Sequence, residues 1–268
     1  MKQPIVPVFA GLALAAGSTN AAVIYGGSFQ SWQTRTTSNT DNVAVVGSGF
    51  DASGFDKLVV IATTENGNPG SPAGRIDTVT YDGVPLTLAV ASLPIAADPG
   101  VGIPFNQNFT SIWYLDNPPT TAGVIATTGN SRIVATAFGL NGTAAGFGNT
   151  AEIKDPTQGS GGYSVSLASA TDSLVVSAIG LGGNGNTGAA GGVDPISGTE
   201  IDGLNVASNW VGHVAAYGPG NGGTYGFTDS SPTGDVSTIA VEFTAIPEPS
   251  AVALLGVASL GLFGRRRR

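Results

Sequence analysis

His213 is the only imidazole of the chain, and the sequence contains no cysteine. A Ser-His-Asp hydrolase would have to use this histidine, and a zinc site would have neither a second histidine nor a thiolate beside it. The chain also has no Gly-x-Ser-x-Gly elbow. His213 lies in Trp210–Val214, an alternating run that places it on the same strand face as Val211. We therefore expect a structural histidine, no catalytic residue and no enzymatic activity.

Carboxylates offer two other kinds of chemistry. A glycan hydrolase needs two facing carboxylates, for which Asp77 with Asp82, or Asp194 with Glu200 and Asp202, are candidates. The second group flanks a loop whose oxygen atoms could bind calcium, although no EF-hand pattern is present. Most of these acids stand beside Gly, Pro or Asn, as acids in turns do. We favour solvated turns and predict neither a metal site nor a cofactor.

Two further patterns suggest ligands. Gly183–Gly188 matches the GxGxxG loop of dinucleotide-binding proteins, but that loop must open a helix, and the Ala-Ala-Gly-Gly-Val-Asp-Pro that follows is a poor helix sequence. We interpret it as a glycine-rich loop. Trp113, Tyr114 and Trp210 could form a platform that stacks on sugar rings, although aromatic residues in strands more often belong to the core.

The elements that must position these residues are short β-strands. Apolar, β-branched runs recur from Val23 to Ala245, with Gly, Pro and Asn between them. Asp82-Gly83 stands between two such runs and predicts a hairpin. No segment between the chain ends shows a helical period. We therefore predict one all-β domain over residues 23–245, an antiparallel β-sandwich of jelly-roll type.

Two segments of this domain resemble each other. Asp56–Val60 reads Asp-Lys-Leu-Val-Val, and Asp172–Val176 reads Asp-Ser-Leu-Val-Val. They could be equivalent strands of one jelly roll or the mark of an old duplication. We treat 141–162, rich in Gly, Asn and Ser, as a connection between two halves.

The charge distribution excludes one class of partner. The formal net charge is −8, and Lys2 with Arg265–Arg268 supplies half of the basic residues. The domain between the chain ends is therefore more acidic than the whole chain. Such a surface repels nucleic acid, and we predict no nucleic-acid partner.

The N-terminus has the pattern of a secretion signal. A lysine at position 2 precedes the apolar run Ile5–Ala16, and small residues follow it. Residues 1–22 are predicted to be a signal peptide that is cleaved after Ala21 or Ala22. The protein is therefore expected to be exported.

The C-terminus combines three features in a fixed order. Pro247, Glu248 and Pro249 precede an apolar stretch, and Arg265, Arg266, Arg267 and Arg268 end the chain. As a helix, 250–264 would span about 22 Å, short of the roughly 30 Å hydrocarbon core of a bilayer. Snorkelling arginines can lengthen such a span, and their charge would hold them on the cytoplasmic side. The prolines cannot continue the helix backwards and would keep an extended segment outside the membrane. We predict a short C-terminal transmembrane helix; a permanent membrane anchor is the alternative.

Residues 246–268 resemble the PEP-CTERM sorting domain of Gram-negative bacteria. The resemblance implies recognition by the membrane enzyme exosortase, with Pro247, Glu248 and Pro249 as the sorting motif and cleavage near them. It also implies an inner-membrane intermediate, a final location at the cell surface or outside the cell, and an association with exopolysaccharide and biofilms. The expected function is that of a non-enzymatic surface or matrix protein. A lectin-like carbohydrate-binding domain, with or without the assistance of calcium, and a glycan hydrolase are the alternatives.

Overall fold

The computed structural model describes residues 22–35, 42–66, 76, 78–92, 107–119, 123–129, 132–155, 163–182, 193–205, 211–229 and 236–247. The first half of this part contains nine strands: β1 (Ile24–Arg35), β2 (Asn42–Phe50), β3 (Lys57–Asn66), β4 (Thr78–Tyr81), β5 (Val84–Pro85), β6 (Thr87–Ala91), β7 (Gln107–Asp116), β8 (Gly123–Gly129) and β9 (Arg132–Asn141). The second half contains eight: β10 (Thr150–Asp155), β11 (Tyr163–Leu167), β12 (Leu174–Gly182), β13 (Val193–Pro195), β14 (Thr199–Asn205), β15 (Val211–Pro219), β16 (Gly223–Asp229) and β17 (Val236–Phe243).

The described residues contain no helix, and all of their strand pairings are antiparallel. The prediction of an all-β, antiparallel fold is confirmed. The Asp82-Gly83 hairpin is also present: Tyr81 pairs with Val84, and both turn residues have positive φ, as a type I′ turn requires. The segment 141–162, expected to be only a connection, contains β10.

The described strands form four sheets, and the two halves use the same strand order. Inner sheet 1 has the order β1-β9-β3-β7-β6, and inner sheet 2 has the order β10-β17-β12-β15-β14. Outer sheet 1 has the order β2-β8-β4-β5, and outer sheet 2 has the order β11-β16-β13. Each strand of the second half occupies the place of one strand in the first half, in chain order, and among the described strands only β5 has no counterpart. The halves therefore share one topology.

Three apolar layers hold the sheets together. The shared core lies between the inner sheets and includes Val59 and Phe138 from the first half with Val176 and Phe243 from the second. The first outer core, which includes Leu58, Tyr81 and Trp113, lies between inner and outer sheet 1. The second outer core lies between inner and outer sheet 2 and contains Ile179, Val214 and Phe227, with a continuation around Val175 and Tyr225.

The two similar pentapeptides lie on equivalent strands, β3 and β12, but are displaced by one residue. Leu58 faces the first outer core, whereas Leu174 faces the shared core. The residue equivalent to Leu58 is Val175, which also faces an outer core. A one-residue shift moves every side chain of a strand to its other face. Lys57 therefore corresponds to Leu174, and both side chains point toward the other half.

Candidate functional site

His213 is completely buried between the inner sheets. Its neighbour on the same face, Val211, packs on Val134, while Val214 lies in the second outer core, as the alternation predicts. The Nε2 atom of His213 is 2.8 Å from Thr136 Oγ1, and Thr136 donates a 3.0 Å hydrogen bond to Asp202 Oδ2. Thr136 must then accept from Nε2–H, so that the Nδ1 atom is the unprotonated one.

This arrangement keeps His213 neutral. Within the described residues its Nδ1 atom has no hydrogen-bond partner. Burial lowers the pKa of His213 to about 4, although the nearby Asp202 carboxylate acts in the opposite direction. Ser31 also donates to Asp202 and lies 3.2 Å from Thr136. Asp202 thus accepts from two hydroxyls, and the Thr136 hydroxyl connects it to His213.

The candidate carboxylates form no metal-binding cluster in the described part of the chain. Asp82 is exposed in the hairpin turn, and Asp77 lies outside the described residues. Asp194 and Glu200 are exposed on β13 and β14, and Asp202 points into the polar cluster with Ser31 and Thr136. Burial, and then the Asp202 and Asp194 charges, raise the pKa of Glu200. Among the described residues, no three His, Asp or Glu side chains could together hold a metal ion.

The candidate sugar contacts lie in the core where they are described. Trp113 is 5% exposed in the first outer core and donates from Nε1 to Ser111 Oγ at 2.9 Å. Tyr114 is 9% exposed in the shared core, where Phe147 and Phe243 pack edge-on against its ring. The two rings are on opposite faces of β7 and cannot form one platform. Trp210 and the 183–188 glycine loop lie outside the described residues.

A buried lysine was not singled out by the sequence. Lys57, at the start of β3, has no exposed surface and forms an ion pair with Asp116, its register partner at the end of β7. Its ammonium also donates to the Gly146 carbonyl at 2.8 Å and lies 4.6 Å from the centre of the Tyr114 ring. Strand alternation was the available signal, because it places Lys57 on the same face as Val59 and Ile61.

Another buried polar cluster connects the two inner sheets, and the sequence did not predict it either. Asn108 donates to the Gly180 carbonyl at 3.0 Å and accepts from Ser237 at 2.7 Å. Thr110 lies 2.8 Å from Ser237 and 3.2 Å from Thr63. These bonds connect the two halves and satisfy polar groups that would otherwise be costly to bury. They have the character of structural contacts.

The two ends of the described domain meet at one short segment, Asn141–Ala144. Thr143 forms an isolated β-bridge with Ala245, and Ile246 N–H donates to the Gly142 carbonyl at 3.0 Å. A Cβ atom at Gly142 would come within 2.8 Å of the Ala22 carbonyl, so that glycine, with φ +73°, is required there. Next to it, Val23 is buried in the shared core. The domain therefore begins at Ala22 and closes at Ile246 around one segment, which we call the terminal junction.

The chain leaves the domain shortly after its last strand. The last strand ends at Phe243, Ile246 is 46% exposed, and Pro247 is exposed as well. Residues 245–268 match the family model of the PEP-CTERM protein-sorting motif. The tail is a PEP-CTERM sorting signal. No curated protein and no solved structure matches the chain.

The PEP-CTERM tail implies export and membrane-associated processing toward the cell surface. Its motif begins at Ala245, the residue that pairs with Thr143 of the terminal junction. Glu248, Pro249, Arg265, Arg266, Arg267 and Arg268 lie outside the described residues, as does Ala21 at the predicted N-terminal cleavage site. The described part of the chain contains no helix that is long and apolar enough to cross a membrane.

Proposed function

We propose that this protein is exported, sorted by exosortase through its PEP-CTERM tail, and used at the cell surface or in the extracellular matrix as a non-enzymatic protein. The observation that carries the proposal is the match of residues 245–268 to the sorting motif. Residues 1–22 would direct export, the apolar stretch before the arginines would form a transient membrane helix, and Pro247, Glu248 and Pro249 would be recognised. Exopolysaccharide is a candidate partner of the mature domain, supported by the resemblance of the tail.

The described domain supports a structural role. Its only histidine is completely buried between two sheets, and among the described residues no three His, Asp or Glu side chains could together hold a metal ion. Each half has the strand order of a jelly roll, with a five-stranded inner sheet against a smaller outer one. We propose that the mature domain is two jelly-roll sandwiches fused through their inner sheets. A rigid, stable body of this kind suits a protein that must persist outside the cell.

The sorting proposal is tested by changing the motif alone. The variant Pro247→Ala/Glu248→Ala/Pro249→Ala should fold like the wild type, because these residues follow the last pairing of the domain. It should remain in the inner-membrane fraction with an intact tail, whereas the wild type should lose its tail. Cell fractionation and intact mass measure both effects. Val252→Leu in the same tail is the control and should be sorted normally.

The outcome that would contradict exosortase sorting is equal processing of wild type and motif variant. A wild-type mass that lacks residues 1–22 but keeps the tail would instead make the tail a retained membrane anchor. Deleting 247–268 gives a separate check on the domain boundary. That variant should be folded and misplaced, and loss of its folded structure would show that the tail belongs to the domain.

A further inference from the structure

A lysine and an aspartate are arranged around Gly146, two residues after the terminal junction. Lys57 and Asp116 are register partners on β3 and β7, and their side chains are in contact. Gly146 N–H donates to Asp116 Oδ2 at 2.9 Å, and the Gly146 carbonyl accepts from Lys57 Nζ at 2.8 Å. The remaining oxygen, Asp116 Oδ1, is the one that contacts Nζ. A single residue therefore holds an amine and a carboxyl group against each other.

The surroundings favour the neutral, nucleophilic form of the amine. Lys57 has no exposed surface, and Nζ lies over the rings of Tyr114 and Phe243. Burial lowers the pKa of Lys57, although its hydrogen bond to Asp116 and the charges of Asp116 and Asp56 act in the opposite direction. An ammonium in an apolar site costs free energy, and conversion of the ion pair into a neutral group removes that cost.

We propose that Lys57 and Asp116 condense to an intramolecular isopeptide bond. One proton first passes from Nζ to Oδ1 within the ion pair. The neutral amine then attacks Cγ, so that the Nζ–Cγ bond forms and the Cγ–Oδ1 bond breaks. Oδ1 leaves as water with its own proton and one proton from the amine. Atoms and charge balance without an oxidant, a reductant or any co-reactant. Asp116 is 29% exposed, which gives the water a path to solvent.

The positions of the hydrogen-bond partners fit the product as well as the reactants. Oδ2 becomes the amide oxygen and keeps its bond from Gly146 N–H, which also polarises the carbonyl during attack. The one hydrogen left on Nζ keeps its bond to the Gly146 carbonyl. Gly146 has φ +78°, a conformation that favours glycine, and both of its polar groups face the pair.

The bond would belong to the first half alone. At the equivalent position of the second half stands Leu174, opposite Phe243 and Pro219, which cannot condense. The cross-link would join β3 to β7 and would be held by the segment that follows the terminal junction. It would close a loop of the chain near the point from which the PEP-CTERM tail leaves, and a surface protein gains resistance to unfolding and proteolysis from such a closure.

Peptide mapping of the full-length protein by mass spectrometry tests the proposal without any variant. Trypsin cleaves after Arg35, Lys57, Arg75 and Arg132. An acylated Lys57 is not cleaved, so the expected product is peptide 36–75 joined to peptide 76–132, lighter by one water than their sum. Fragmentation should place the link on Lys57 and Asp116. Lys57→Arg and Asp116→Ala should each abolish the joined product.

Free peptides 36–57 and 76–132 from the folded wild type would overturn the proposal, because Lys57 and Asp116 would then be only an ion pair. A joined product in the Asp116→Ala variant would assign the bond to another carboxyl group and would overturn it too. The wild-type measurement is decisive even where a variant fails to fold. Its result does not depend on sorting, so it can be separated from a failure of the proposed function.

Discussion

In each half a side chain fills the space above a glycine, but the two halves use different side chains for this. In the first half the ring of Phe55 fills the space above Gly26 and Gly139, where a Cβ atom would lie 2.2 and 2.1 Å from it. In the second half the carboxylate of Glu242 fills the space above Gly148, where a Cβ atom would lie 2.4 Å from Oε2. The register makes Glu242 the counterpart of Gly139, since each pairs with the equivalent residue of its central strand, Val175 or Leu58.

The chemistry of the two solutions differs. Phe55 contributes apolar contact and stacks on Phe50. Glu242 instead accepts hydrogen bonds from the backbone N–H groups of Asn149 at 3.1 Å and Ala170 at 2.6 Å, and so ties two loops to β17. The opposite exchange occurs at the shared core, where the first half has the polar Lys57 and the second has the apolar Leu174. Strand order is therefore common to both halves, while the side chains that fill the space above the glycines differ between them.

The largest loss of stability is expected from truncations in the core that both halves share. Leu140 and Phe243 are equivalent residues, and both are completely buried in the shared core. Leu140→Ala should cost about 2–5 kcal/mol and Phe243→Ala about 3–5 kcal/mol, through lost transfer energy and cavity formation. Because this core belongs to both halves, each variant should lower the stability of the whole domain in one transition. Urea denaturation gives the free energy of unfolding.

Hydrogen exchange decides whether the halves are separable. In the Leu140→Ala variant, Val79–Tyr81 of outer sheet 1 and Tyr225–Phe227 of outer sheet 2 should lose protection together. Protection lost in the mutated half alone would show that the halves unfold independently. The exposed Ile153 provides a control on an edge strand, since Ile153→Ala should change stability by no more than about 0.5 kcal/mol.

Prediction two concerns His213, a titratable group that only the second half has. The pKa of His213 is about 4 in the folded domain because of burial, and about 6.5 in an unfolded chain. The folded domain therefore excludes the proton that His213 binds in the unfolded chain. This costs no stability above pH 6.5, and the domain loses stability as the pH falls from 6.5 toward 4. The linked loss is on the order of 3 kcal/mol across that interval.

The measurement is the free energy of unfolding in urea between pH 7 and pH 5, above the range in which most carboxylates titrate. Wild type should lose stability steadily on acidification. His213→Gln should be less stable at pH 7, since Thr136 loses its matched partner, but its stability should be nearly constant over the same interval. An equal slope in both proteins would show that His213 is accessible to protons in the folded state.

The sequence predicted the class of fold and the tail because both depend on local patterns. Alternation and turn residues indicate strands, and Asp82-Gly83 indicates its hairpin, without knowledge of distant contacts. The pairing of β3 with both β7 and β9 depends on residues far apart in the chain, and so the equivalence of the halves was only hinted at by two pentapeptides. Their apparent alignment was off by one residue, because a short match does not fix the register.

The same limit explains which site residues were missed. The pair Lys57 and Asp116 is brought together by strand pairing, and Gly146 joins them from the chain that enters the second half. No spacing pattern in the sequence indicates that these three residues are in contact. Trp113 and Tyr114, in contrast, were weighed as core or sugar contact, and a strand buried on both faces is what places both rings in the core.

The smallest effect is expected at Glu242, whose carboxylate fills the space above Gly148 as the ring of Phe55 fills the space above Gly139. Glu242→Gln keeps the shape of the side chain but replaces one acceptor oxygen by an NH₂ group that faces N–H donors. The loss should be about 1–3 kcal/mol, the usual cost of leaving a buried hydrogen-bonding group without its partner. Asp194→Asn, at an exposed carboxylate, is the matched control and should leave the urea midpoint unchanged. Hydrogen exchange should then show faster opening at Asn149 and Ala170, which bond to Glu242, and unchanged protection around Phe55. An equal loss of protection around Phe55 would contradict this prediction, because the packing around Phe55 and the packing around Glu242 would then be coupled.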